Sequence, residues 1–378
     1  MEGAQLHQKE RCRLEVDNVY CVPGPKGAKD HTPIWRIGGI MPHQRATHET
    51  EFEQGVFVVS LDFELYWGLH DQRPIESYYE NLINTPKAVG HILDLFERFE
   101  VHATWAAVGA LLLENPNEIG RGVTHRPGYQ RSELCAYTYA DRQHLDKRFH
   151  SALPLIERIT TTPGQEIGSH TYSHFYCNED GVTPESFSED LRLAVATTRS
   201  RGVTPRSFVF PRNQCRDDFL PLLRDAGFIC YRGNPSHSLY ESRSWNDERV
   251  FWRRALRLID AYIPLTGYNT FGPLQCLRQP IINVPASAFL RPVSRTLGKL
   301  EPLRQRRVTQ AMAAAAKSKS GYHLWWHPHN FGSALEANLS FLEGILREFA
   351  RLRDSFGMCS LNMSELSHKI LGRKRDGN

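Results

Sequence analysis

The first sustained apolar run is Val56-Phe-Val-Val-Ser-Leu61, β-branched and aromatic with almost no polar alternation, the pattern of a short strand buried on both faces. Apolar residues then recur at helical spacing through Ala88, Val89, Ile92, Leu93, Leu95 and Phe96, with Pro86 tolerated in the first turn, which predicts a helix over Thr85–Phe99. A second strand follows over Val101–Val108, a third over Gln165–Ser169, a helix over Glu185–Arg201 and a strand over Ser207–Phe210. The alternation continues with a helix around Asp218–Ala226, a strand over Phe228–Tyr231, a late strand within Tyr322–Trp326 and an amphipathic helix from Ala334 to Leu352. Strands alternating with helices favour a parallel sheet with helical crossovers, close to a complete barrel.

Two stretches break this rhythm, at about 114–160 and 234–320, and are expected to be insertions that carry substrate choice. The second contains Trp245, Trp252, Tyr262 and Tyr268 among many arginines, and an alanine-rich helical piece at Met312–Lys319. Residues 1–54, with the run Pro23–Asp30, lack periodicity and are expected to form a flexible leader. The domain plan is therefore the leader, one catalytic domain over 55–372 and a tail at 373–378. No long internal repeat is present.

The sequence has 378 residues, 40% hydrophobic and 23% charged, with a net charge of +4. So slight an excess gives no clustered basic face for nucleic acid. No apolar stretch approaches the ~20 residues a transmembrane helix needs. A polar N-terminus without a signal-peptide pattern predicts the cytoplasm. The eight cysteines are scattered without knuckle or redox spacing and are expected to be reduced, Cys177 among them as a packing residue.

Three clusters carry candidate chemistry. The strand Val56–Leu61 runs into Asp62-Phe-Glu64-Leu-Tyr66-Trp67, two acids that share one side of an extended chain. They fit either a divalent cation, which would offset the cost of burying both charges, or two exposed acids at a strand end. Gly164-Gln-Glu-Ile-Gly-Ser-His170-Thr-Tyr-Ser-His174 sets two histidines four apart, able to meet one ion if the chain turns helical there. One carboxylate with two imidazoles leaves positions open for water and substrate, as catalytic zinc sites require. The third is Leu324-Trp-Trp-His327-Pro-His329-Asn330, an apolar strand ending in histidine.

These blocks, with His102–Gly109, resemble the polysaccharide deacetylase family, also called carbohydrate esterase family four, over about residues 55–370. The resemblance implies a distorted (β/α)7-type barrel and removal of an acetyl group from an acylated sugar. It implies Asp62 as catalytic base, Glu64, His170 and His174 as ligands of a divalent ion, zinc foremost with cobalt or another ion possible, and His327 as the acid that protonates the leaving group. In the implied mechanism a metal-bound water is deprotonated by Asp62 as it attacks the acyl carbonyl. Asp62-Phe-Glu64 departs from the family's usual adjacent aspartates, as in a variant branch, which leaves open which acid is the ligand. The family's arginine that orients the base has its counterpart in Arg212, which follows Pro211 instead of preceding it, so that a structural salt bridge is an alternative role. Tyr66, Trp67, Asn213, Gln214 and His329 are candidate substrate contacts or packing residues.

No family motif identifies the acylated amino sugar or glycan that would be the substrate; the expected cytoplasmic location favours a nucleotide sugar, a lipid-linked glycan intermediate or another small acylated amine over mature cell-wall polymer, within surface-polysaccharide or glycolipid assembly. Two other readings keep the fold: an amidohydrolase acting on a formamide or ring amide, and an inactive sugar-binding barrel using Trp245, Trp252 and Tyr268.

Overall fold

The computed structural model describes residues 51–241, 250–277, 280–294 and 296–376, with side chains to 372. Eight strands form one parallel path in the order β6-β5-β4-β3-β2-β1-β8-β7, from β1 (Val56–Phe63), β2 (Ala103–Ala107), β3 (Gln165–Ser169), β4 (Ser207–Val209), β5 (Cys230–Arg232), β6 (Ile282–Asn283), β7 (Ala288–Phe289) and β8 (Gly321–Trp326). A ninth, β9 (Cys359–Ser360), pairs with the start of β1. The two ends of the path are one piece of chain. β6 pairs with β5, the Ala286 N–H donates to the Gly233 carbonyl, the Ser287 N–H donates to the His323 carbonyl, and β7 pairs with β8. Segment 282–290 thus fills the seventh position, giving the curled α/β barrel of the (β/α)7 type.

This closure corrects the expectation that 234–320 is merely inserted: it supplies the strand that joins β5 to β8. Likewise 114–160 ends in the helix Leu153–Thr161, which buries Ile156 and Ile159 in the main core and is the crossover between β2 and β3. The helix at Met312–Lys319 is longer than expected, running Glu301–Lys317. The chain joins the fold at Phe52, inside the expected leader. Phe52 is buried edge-on against Phe271, and its N–H donates to the Lys319 carbonyl. The rest of that leader, 1–50, lies outside the described residues, as does Trp245. The final helix, Met363–Asp376, runs through most of the expected tail.

Alternation along β1 explains how a strand buried at every position serves two surroundings. Phe57, Val59, Leu61 and Phe63 join the core made with Ala88, Val89, Ile92, Leu93 and Phe96 of the helix Thr85–Phe99. Val56 and Val58, on the other face, meet Val209, Cys230 and Ile282, together with Met363 and Leu366 of the last helix. Above this apolar layer the same face of β1 presents Ser60 and then Asp62, so polarity rises toward the C-terminal ends of the strands, where barrel enzymes of this architecture place their chemistry.

Candidate metal and catalytic site

Four strand ends converge on one point. Asp62 is the last residue but one of β1 and Glu64 follows the strand, His170 follows β3, Arg232 ends β5 and His327 follows β8. After Glu64 the chain tightens into a short turn over Leu65–Gly68, which brings Gly68 under the Glu64 carboxylate. A Cβ at Gly68 would lie 2.1 Å from Glu64 Cδ, so glycine is the residue that leaves Glu64 its place.

Glu64 Oε2 lies 3.0 Å from His174 Nε2 and 3.3 Å from His170 Nε2, all three side chains being buried. The outer ring nitrogens fix the proton positions. His170 Nδ1 is 2.9 Å from the Val209 carbonyl, which can only accept, so Nδ1 carries the hydrogen. The Tyr176 hydroxyl donates to Asp71 Oδ1 at 3.2 Å and therefore accepts from His174 Nδ1 at 3.1 Å. In the neutral form that binds a metal, both imidazoles then turn an Nε2 lone pair toward an anionic oxygen, and His170 Nε2 has no hydrogen-bond partner. Converging lone pairs in a buried site repel unless a cation lies between them, so these ligand atoms, all within 4.8 Å of one another, fit a divalent metal ion.

Thr171 and His174 take left-handed backbone conformations (φ of 65° and 56°), so the segment between the histidines is an irregular loop and not the helical turn expected from their spacing. Asp190, on the helix Pro184–Arg199, holds that loop from behind. Its carboxylate accepts from the Tyr172 N–H at 2.6 Å, the Ser173 N–H at 3.1 Å and the Ser173 hydroxyl. Burial pushes Asp190 up to about 6 despite these bonds.

Asp62 is gripped by Arg232 in two parallel bonds, Nη1 to Oδ1 at 2.6 Å and Nη2 to Oδ2 at 2.8 Å. Burial alone would raise the Asp62 pKa, but Arg232, with His170 and His327 behind it, holds it below the ordinary carboxylate value. Glu64, equally buried, is held well below its ordinary value against that burial, foremost by His327. Burial outweighs Glu64 at His174 and lowers it to about 4, keeping the imidazole neutral as a ligand must be. His327 Nε2 stands 3.7 Å from Asp62 Oδ2 and 3.6 Å from Glu64 Oε1, and at 23% exposure its side chain meets the cavity that the two acids barely reach.

The expected pair between Arg212 and Asp62 does not form. Arg212 and Asn213 are both left-handed (φ of 52° and 53°), and this turn at the end of β4 swings Arg212 onto Asp71 and over the Tyr176 ring, 4.3 Å away. Asn213 accepts from Arg232 Nη2 at 2.8 Å and lines the cavity. Gln214 is buried, accepting from the Asn178 N–H and donating to Glu179, and does not line it. Tyr66 and Trp67 are also packing residues, wrapped by Tyr139 and His150, the Trp67 N–H donating to the His150 carbonyl. Pro328 turns His329 inward between Tyr78 and His327, where burial lowers it to about 3. Trp252, Tyr262 and Tyr268 are not among the lining residues.

Sequence reasoning missed Arg232 and the layer beneath it. Ser60 Oγ accepts from Arg232 Nη1 at 3.0 Å and faces His323 Nε2 at 2.8 Å. The signal for Arg232 was its place immediately after the predicted strand Phe228–Tyr231, where a barrel strand delivers its functional residue. Trp325 and Phe289, ring centroids 4.6 Å apart, form an aromatic wall beside His327 in a cavity of about 530 Å³.

The curled parallel barrel thus gathers a buried carboxylate–imidazole donor set and an arginine-held carboxylate at its strand ends. Residues 71–231 match the model of the polysaccharide deacetylase family. The segment contains His170, His174 and Arg212, whereas Asp62, Glu64, Arg232 and His327 join the site from outside it. Among solved structures, a probable polysaccharide deacetylase from Pseudomonas aeruginosa PAO1 is 13% identical (TM-score 0.49, covering 83% of this chain and 89% of that one). Puue allantoinase is 14% identical (TM-score 0.48, 87% and 93%). The Xyl-CE4 domain of a multidomain xylanase from the hindgut metagenome of Trinervitermes trinervoides is 11% identical (TM-score 0.41, 84% and 91%). No curated protein matches the sequence. No helix among the described residues is long and apolar enough to cross a membrane.

Proposed function

We propose that this chain is a divalent-metal-dependent deacetylase that removes an acetyl or similar acyl group from an acylated amino sugar or glycan intermediate. The observation that carries this reading is the pair of Nδ1-anchored histidines whose Nε2 atoms both face Glu64 Oε2, beside an Asp62 kept ionised by Arg232. Glu64, His170 and His174 would hold the ion, zinc foremost, and Asp62, given to Arg232, is left as the base. When bound, such an ion supplies Lewis acidity that polarises the acyl carbonyl and makes a nearby water more acidic.

Asp62 takes a proton from the water whose oxygen adds to the acyl carbon. His327 gives a proton to the amine nitrogen as the C–N bond breaks, so acetate and the free amine leave. Both proton carriers flank one spot, since His327 Nε2 is within 3.7 Å of Asp62 Oδ2 and 3.6 Å of Glu64 Oε1. Trp325 and Phe289 offer a sugar ring an apolar face, and the cavity of about 530 Å³ suits a small glycan or its terminus.

The test is acetate release from N-acetylated oligosaccharides and sugar phosphates by protein stripped with chelator and reloaded with zinc or cobalt. Release should require the metal and fall by roughly 10²–10⁴-fold in Asp62→Asn. Metal-independent release, or full activity in Asp62→Asn, would contradict the proposal.

A further inference from the structure

The cavity runs from the site past Phe289 and Trp325 to a wall rich in arginine. Among the described residues, seven arginines line it against three carboxylates: Asp62, Glu64 and Asp260. Those carboxylates are engaged, Asp62 by Arg232, Glu64 by the histidines, and Asp260 by Tyr240, Thr266 and Arg307. Arg212 pairs with Asp71 and Arg304 with Glu301. Among the described residues no carboxylate pairs with Arg73, Arg254 or Arg291. Arg291 is half-buried, and burial together with the neighbouring Arg304 and Arg257 guanidiniums lowers its pKa. A cation that the fold disfavours and leaves without a counter-charge, in a cavity open to ligand, is the mark of an anion subsite.

The spacing names the ligand. Arg291 lies 5.9 Å from the Phe289 ring, which lies 5.6 Å from the His327 ring. Those two steps are about the reach of one sugar ring with its substituents. Resting on the deacetylase reading, we propose that Arg291, with Arg254 at the mouth, binds a phosphate ester carried on the same sugar ring as the scissile acyl group. The phosphate is either that of a soluble sugar phosphate or that of a lipid-linked sugar, and the chemistry at the arginines is the same.

Calorimetric titration with glucosamine 1-phosphate and with glucosamine reads the subsite without turnover. The wild-type chain should bind the phosphorylated sugar at least tenfold more tightly, and Arg291→Gln should bring the two affinities together. Arg254 is exposed, so Arg254→Gln provides a folded second variant, in which the preference should shrink at least threefold. Equal affinities in the wild type, or a preference untouched in both variants, would overturn the subsite. Turnover then separates the sources: hydrolysis of soluble N-acetylglucosamine 1-phosphate supports the free sugar phosphate, and hydrolysis of its polyprenyl-phosphate-linked counterpart alone supports the lipid-borne one. Acetate release without phosphate preference removes the subsite and leaves the deacetylase reading. Phosphate-selective binding without any hydrolysis does the reverse.

Discussion

Arg232 and Asp62 illustrate how one pair of charges sets a site's working range. A fully buried carboxylate would otherwise hold its proton, and the two-pronged guanidinium is what favours the anion. Replacing Arg232 with Gln removes that cation, so the Asp62 pKa rises and the ionised fraction at a given acidic pH falls. In the pH profile of acetate release the acid limb of kcat/KM should move upward by about one unit or more in Arg232→Gln, with a lower plateau. An unmoved acid limb would mean that Asp62 is not the base. At this scale the meeting of Asp62, Glu64 and His327 was readable from their places at or just beyond apolar runs, and that of His170 and His174 from their spacing in the Gly164–His174 block. Arg212 misled because linear order cannot reveal two consecutive left-handed residues, which decide where its guanidinium goes.

Elements place those residues only where something braces the loops. The helix Pro184–Arg199 starts at Thr183, whose hydroxyl accepts from the Ser186 N–H, and two turns from that start it presents Asp190 to the loop that carries His174. Asp190→Ala would strand the Tyr172 and Ser173 N–H groups in a buried setting, at about 2–3 kcal/mol. The same loosening should weaken zinc affinity by roughly tenfold, the order expected for an outer support of a ligand. Chemical denaturation and metal titration of this variant check both figures, and an unchanged metal affinity would separate Asp190 from the site. Helix and strand positions were readable from apolar spacing. The strand pair β6 and β7 was not, because four strand residues flanked by irregular chain carry no periodic signal.

At the scale of the whole molecule, the barrel is closed from below by chain that returns from the far end of the sequence. His102 Nδ1, just before β2, lies 2.8 Å from a Glu365 oxygen on the last helix, and that bond raises the His102 pKa above 6.5. A raised folded-state pKa makes the contribution fully present below about 6.5 and lost as pH rises through the higher folded value. With both side chains 37% exposed, the pair contributes a few tenths of a kcal/mol at most. His102→Gln should therefore lower the melting temperature slightly at pH 5.5 and leave it unchanged at pH 8.5. A deficit that persists or grows at pH 8.5 would show that His102 acts through packing. The order of strands and crossovers was legible from the chain, but its closure was not, since that depends on pairings between residues more than fifty positions apart, β5 with β6 and β1 with β8.

Metal stoichiometry tests the account most directly. Equilibrium dialysis against cobalt(II), read by elemental analysis and visible absorption, should give one tightly held ion per chain in the wild type and in Asp62→Asn. His174→Gln and Glu64→Gln should each weaken that binding at least a hundredfold while leaving the fold intact by circular dichroism. One ion bound equally well in folded His174→Gln and Glu64→Gln protein, or no ion bound by the wild type, would contradict the account.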